Sequence, residues 1–148
     1  MPVFRLETGT LLGPDPASEV NRALEWAMNL LDRGPVLIAA SSTPEIVAAL
    51  QARYGRGASG QAIESATSAF VEGLAARGVH RFIIAGGETS GAAIDRLRIP
   101  AFLIGQEIAP GVPVMTTVGG SGKRMRFALK SGNFGGPNFF QTAIGMVQ

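Results

Sequence analysis

No cysteine occurs among the 148 residues, which excludes disulfides, thiolate metal sites and cysteine nucleophiles. There is one histidine, His80, so a histidine-based triad or a multi-imidazole zinc site lacks its partners. Charge is scarce, at 16% of residues against a usual fraction of about 25%. With 46% hydrophobic residues, that balance excludes intrinsic disorder. Long apolar runs are missing too. A stretch such as Val36 to Ala40 is far shorter than the roughly 18 residues a membrane span requires. Met1 to Arg5 carries no basic region leading into an apolar core, so no secretory signal is read there. The expectation is a soluble, cytoplasmic domain without a membrane partner.

Acidic residues are absent from the last part of the chain: none follows Glu107, whereas Lys123, Arg124, Arg126 and Lys130 do. The only two lysines lie in that stretch. The net charge of +2 is too small to argue for nucleic acid, and a local anion site is the better expectation. What the sequence has in excess is glycine. It occurs 20 times, about twice the usual share, and the excess is concentrated between Gly86 and Gly136.

Pro2 to Leu6 reads as a short strand, followed by a loop through Gly9, Gly13, Pro14 and Pro16. Val20, Ala23, Leu24, Ala27 and Leu31 then mark one face of a helix, which Gly34 and Pro35 stop. Val36 to Ala40 reads as a strand buried on both faces. Thr43, Pro44 and Glu45 are the signature of a helix start, and that helix runs to about Arg53. Tyr54 to Gly60 reads as a connection, Gln61 to Arg77 as a second helix, and Arg81 to Ala85 as a buried strand. A helix is expected from Thr89 to Leu97, strands at Ala101–Ile104, Val112–Thr117 and Arg126–Lys130, and a closing helix from Asn138 to Val147. The alternation predicts one α/β domain with a mostly parallel sheet and helices on both faces. The last three strands lack long helices between them, so some antiparallel pairing is expected near the C-terminal edge. Trp26 lies off the helical stripe and is a candidate for covering an interface.

In open α/β sheets, ligands sit beyond the carboxyl ends of strands, where helix N-termini expose unpaired N–H groups. Two junctions have the ingredients. One is Ser41-Ser42-Thr43-Pro44. The other is Gly86-Gly87-Glu88-Thr89-Ser90, where two glycines permit close backbone approach and two hydroxyls follow. An ordinary strand-to-helix turn uses the same residue types, and Glu88 would serve equally as a first-turn carboxylate on the helix dipole. A third candidate is Lys130-Ser131-Gly132-Asn133, which gathers ammonium, hydroxyl, amide and bare backbone with no acidic neighbour. Val118 to Arg124 is a failed phosphate loop. The Walker pattern needs glycine where Thr117 stands and serine or threonine where Arg124 stands, so a hairpin is the reading there. There is no G-x-G-x-x-G.

Three segments in series carry a resemblance: Ala85-Gly86-Gly87-Glu88-Thr89-Ser90-Gly91-Ala92, Ile104-Gly105-Gln106-Glu107-Ile108-Ala109-Pro110-Gly111-Val112-Pro113, and Leu129-Lys130-Ser131-Gly132-Asn133-Phe134-Gly135. With the strand from Val36 to Ser42, they make the chain similar over its whole length to the C-terminal nucleotide-binding domain of the four-carbon acid sugar kinases. The resemblance implies ATP-dependent phosphorylation of sugar acids such as threonate, erythronate or 3-oxo-tetronate derivatives, with magnesium to neutralise the transferred charge. It implies that Gly86, Gly87, Glu88, Thr89 and Gly132 contact the adenine nucleotide, with Ser90, Ser41, Ser42, Lys130, Ser131 and Asn133 as lesser candidates. Family members are more than twice this size, and a sugar-acid-binding domain precedes this one. The chain is therefore expected to be the C-terminal part of a two-domain kinase, inactive without that domain and open to homodimerisation through the apolar surface left uncovered. No general base is named. A non-catalytic module binding a small anion or sugar phosphate through the same loops is the alternative.

Overall fold

A computed structural model describes residues 1–119, 124–132 and 134–148. The chain forms two compact units, Met1–Gly73 and Leu74–Gln148. The α/β class expected from the alternation holds, with both parallel and antiparallel pairing.

In the first unit, β1 (Val3–Arg5) and β2 (Leu37–Ala39) pair in parallel, Val3 opposite Leu37 and Arg5 opposite Ala39. Between them lie the single turn α1 (Thr8–Leu11), where the sequence suggested loop, and α2 (Pro16–Leu31). Asp15 caps α2 by accepting from the Ser18 amide at 3.2 Å, and Pro16 occupies the first turn, where its missing N–H costs nothing. The helix buries Ala23, Leu24 and Ala27, the stripe read from spacing. The Trp26 ring lies 5.3 Å from that of Phe4 on β1, so the aromatic off the helical stripe packs on the first strand and stays half-buried. Glu19 is buried, accepting from the Glu7 amide at 2.7 Å and from Arg22 Nε at 2.8 Å, which ties the start of α1 to α2.

The strand β2 is shorter than expected and half-buried rather than buried on both faces, in a sheet of two strands. α3 (Pro44–Tyr54) and α4 (Arg56–Ala76) follow almost without interruption. The expected connection from Tyr54 to Gly60 contracts to Gly55, whose φ of +84° breaks the helical path, while Gly57 and Gly60 continue into α4. No helix among the described residues is long and apolar enough to cross a membrane.

The second unit holds a four-stranded sheet in the order β3-β6-β5-β4, made of β3 (Arg81–Ala85), β4 (Ala101–Ala109), β5 (Val112–Val118) and β6 (Arg126–Lys130). β3 and β6 are parallel, and β5 runs antiparallel to both β6 and β4. The antiparallel pairing therefore falls where short connections predicted it. β4 is longer than its apolar run suggested: it continues through Gly105 and shifts register twice before Ala109. A Cβ at Gly105 would lie 3.0 Å from the Val114 carbonyl oxygen, so a larger residue would push β5 away. Phe127, wholly buried, stacks on Phe82 at 5.3 Å and meets Phe102 edge-on at 5.7 Å. α5 (Gly87–Leu97) packs against β3 and β6, and α6 (Phe139–Met146) against β3 and β4. Phe139 and Ala143 of α6 bury against Val112, with Ile83 and Ile108 alongside.

Candidate functional site

The parallel register of β3 with β6 sets Ala85 opposite Lys130, so the two glycine-rich segments leave the sheet side by side. The Gly86 amide donates to the Lys130 carbonyl at 2.7 Å, which extends the ladder by one bond and binds the two turns together. Gly86, at φ +135°, is the N-cap of α5 and supplies no side-chain cap. The helix thus starts two residues before the expected Thr89, and neither Thr89 nor Ser90 caps it. Thr89 sits in the first turn, half-buried, with Ser90 buried behind it.

Sterics explain the glycine pair. A Cβ at Gly86 would lie 2.8 Å from Thr89 Oγ1, and one at Gly87 would lie 3.1 Å from Ser131 Oγ. The first glycine lets the chain turn under Thr89, and the second lets the two loops touch. The N–H groups of Gly87, Glu88 and Thr89 have no intrahelical acceptor by construction of the helix, and Gly87 and Glu88 are exposed. The site is a bare positive helix end beside a second glycine turn.

That second turn is built around Lys130. Its ammonium donates to the Gly132 carbonyl at 2.6 Å and sits 5.9 Å from the centre of the Phe139 ring. Gly132 is exposed, with φ +51°. The Phe134 amide closes the turn on the Ser131 carbonyl at 3.3 Å. Gly135, at φ +83°, lies so near Phe139 that a Cβ there would fall 2.6 Å from the ring.

Of the residues named from sequence, Gly86, Gly87, Glu88, Thr89, Ser90, Lys130, Ser131 and Gly132 all belong to this pair of turns. Asn133 lies outside the described residues, as does the Gly120–Lys123 part of the failed Walker segment. Ser41 and Ser42 follow β2 in the first unit and lead into α3, whose N-cap Thr43 makes no side-chain bond to the helix amides. His80 follows the turn at Arg77–Gly78 and precedes β3, with Nδ1 3.2 Å from the Gly78 carbonyl. Among the described residues no group of three or more histidine, cysteine, aspartate or glutamate side chains is placed to hold a metal. Sequence reasoning gave no role to Phe134. The signal was there in one form, an aromatic set among glycines in an otherwise polar loop.

A family model described as the nucleotide-binding C-terminal domain matches residues 1–140. The chain belongs to this family. Curated relatives of the domain include the 3-oxo-tetronate kinase of Methylobacterium radiotolerans, 55% identical over 147 residues, which cover 99% of this chain and 34% of that protein. The 3-oxo-tetronate kinase of Pseudomonas fluorescens is 42% identical over 146 residues, covering 99% of this chain and 33% of that protein. The crystal structure of a Haemophilus influenzae protein of family DUF1537 superposes on the domain with a TM-score of 0.87 and 33% identity, covering 99% of this chain and 35% of that one. The domain spans about a third of the length of the relatives it matches.

Proposed function

We propose that this chain is the ATP-binding part of a kinase that phosphorylates four-carbon sugar acids of the 3-oxo-tetronate type, acting with an acceptor-binding domain like the rest of its relatives' length. The observation that carries the reading is the pairing of two exposed glycine turns at the carboxyl ends of neighbouring parallel strands, joined by the Gly86–Lys130 bond. The free amides at the start of α5 suit phosphate oxygens, and Gly132 offers a second approach without a side chain in the way. Ser131 and Thr89 add hydroxyl donors, and Lys130 supplies an ammonium, held at present by a carbonyl it could exchange for a phosphate oxygen.

Magnesium fits this site only as an ion brought by the nucleotide. The described residues offer no resident cluster of ligands, whereas Glu88, on the first turn of α5, is the carboxylate available to such an ion or its waters. When bound, the ion would neutralise charge on the transferring phosphoryl group. The chain's own part is to orient the phosphates through backbone N–H groups and to hold the turn shape through Lys130.

Calorimetry with magnesium-ATP tests the reading. A variant Gly132→Val, which forces a branched side chain into a left-handed turn, and Thr89→Val should each weaken binding; binding indifferent to both would reject this site. Adding the amino-terminal two thirds of a related kinase as a separate polypeptide should restore phosphorylation of a four-carbon sugar acid. Nucleotide binding with no turnover in any such mixture would favour a non-catalytic anion-binding module.

A further inference from the structure

Phe134 stands out in the second unit as a large apolar side chain with 51% of its surface open, set in the same turn as Gly132. The other large hydrophobics exposed to a similar degree in this unit, Leu103, Ile104 and Val118, are aliphatic and lie on strands. Phe134 is not a loose ornament. The hydrogen bond its N–H donates to the Ser131 carbonyl ties its position to the glycine turn, and one ring edge rests against Gly111, where a Cβ would lie 3.3 Å from Cε1 and 3.6 Å from Cδ1. Gly111, at φ +77°, is itself held by its amide donating to the Glu107 carboxylate at 3.1 Å. The turn between β4 and β5 thus props the ring along one edge and leaves much of it bare.

We propose that Phe134 is the platform on which the nucleobase of the bound nucleotide stacks. This rests on the nucleotide reading above and adds the subsite for the base. A propped ring pays little conformational entropy on binding, and an exposed aromatic in the turn that is bonded to the start of α5 offers the base the apolar face that the polar turns do not. Stacking reads no hydrogen-bond edge, so Phe134 contributes affinity for a purine without choosing adenine over guanine.

The experiment compares ATP, GTP and inorganic tripolyphosphate, each with magnesium, on the 148-residue chain and on Phe134→Leu and Phe134→Trp. Leucine keeps apolar bulk against Gly111 but has no π face. ATP and GTP should each bind at least about fivefold more weakly to Phe134→Leu, the lower end of what one base–aromatic stack contributes, while tripolyphosphate binding is unchanged. Phe134→Trp should restore ATP affinity, and its added indole fluorescence should be quenched by ATP and not by tripolyphosphate. If the leucine variant does not fold, that selective quenching decides alone. Equal ATP affinity in wild type and Phe134→Leu overturns the platform while leaving the nucleotide site standing. So does a parallel loss for ATP and tripolyphosphate, which would mean that Phe134 only shapes the turn. A wild-type chain that binds no nucleotide overturns both.

Discussion

Gly86 and Gly87 look alike in the sequence, yet the structure asks different things of them. Gly86 occupies φ +135°, a region side chains rarely adopt, and has Thr89 Oγ1 against the place of its Cβ. Gly87 has no such backbone demand and faces only the end of a serine. Gly86→Ala should therefore destabilise the protein by about 1–3 kcal/mol in urea denaturation. Gly87→Ala should cost distinctly less, and most of its cost should vanish when Ser131 is also made alanine, since the serine hydroxyl is the atom in the way. A second residue-scale contrast concerns Glu45, whose carboxyl is held below the usual glutamate range by a hydrogen bond from the Thr43 side chain and by its own backbone N–H. With the folded-state pKa depressed, the contribution of the charged form is present above the unfolded pKa and is lost as pH falls through the folded one. Thr43→Val should raise the Glu45 titration midpoint, as NMR of the side-chain carboxyl would read, and narrow that acid window.

Among the elements, α5 is finished by a residue that does not suit its position. Arg98 is the C-cap at φ +52°, the left-handed conformation that glycine adopts freely and other residues pay for. Arg98→Gly should stabilise the protein by up to about 1 kcal/mol, the relief of strain being partly offset by the freer unfolded chain, and a shift of the urea midpoint at constant slope would show it. The junction of α1 with α2 has the opposite character. Glu19, with 3% of its surface exposed, accepts both from the Glu7 amide and from Arg22. Glu19→Ala should cost about 2–4 kcal/mol, because the amide loses its acceptor in a partly buried place, while Arg22→Ala should cost less since its side chain is more than half in water.

Elements with one clear period or one clear stop were legible from sequence: α2 by its stripe and its Gly34-Pro35 stop, and the antiparallel neighbourhood of β4, β5 and β6. The Asp15-Pro16 start of α2 was not, since Pro16 read as loop, and neither was the continuation of β4 past Ile104. The start of α4 was not. Gly57 and Gly60 read as breakers, but neither meets a crowded or left-handed position, so the helix simply runs through them. β2 was legible as a strand but not as a half-buried one, since what packs over the two faces of a strand is set by tertiary structure and not by its own residues. The site divides the same way. Each glycine turn could be named from its residues, whereas the bond from Gly86 to Lys130 depends on a pairing between strands far apart in the chain, which no local pattern encodes. Phe134 was missed because its support, Gly111, belongs to another turn altogether.

For the molecule as a whole, the uncovered surface argues about association. Leu103 and Ile104 are successive residues of β4, so they point to opposite faces of the strand, and they are 59% and 67% exposed. β4 is also the last strand of its sheet, with β5 on one side and, among the described residues, no neighbour on the other. Its only charged residue is Glu107, already engaged with the Gly111 amide, and no lysine or proline interrupts it. Strands at sheet edges normally carry such guards, because an apolar edge pairs readily with another chain. The register shifts around Glu107 protect the far half of β4 but not the Ala101–Ile104 half, which pairs regularly with β5. The 148-residue chain by itself is thus expected to self-associate as concentration rises, in sedimentation velocity or light scattering. Leu103→Lys together with Ile104→Lys should return it to a monomer while leaving magnesium-ATP affinity unchanged, since neither residue belongs to the paired turns. A wild-type chain that stays monomeric across the accessible concentration range would show that the two register shifts already protect the whole edge.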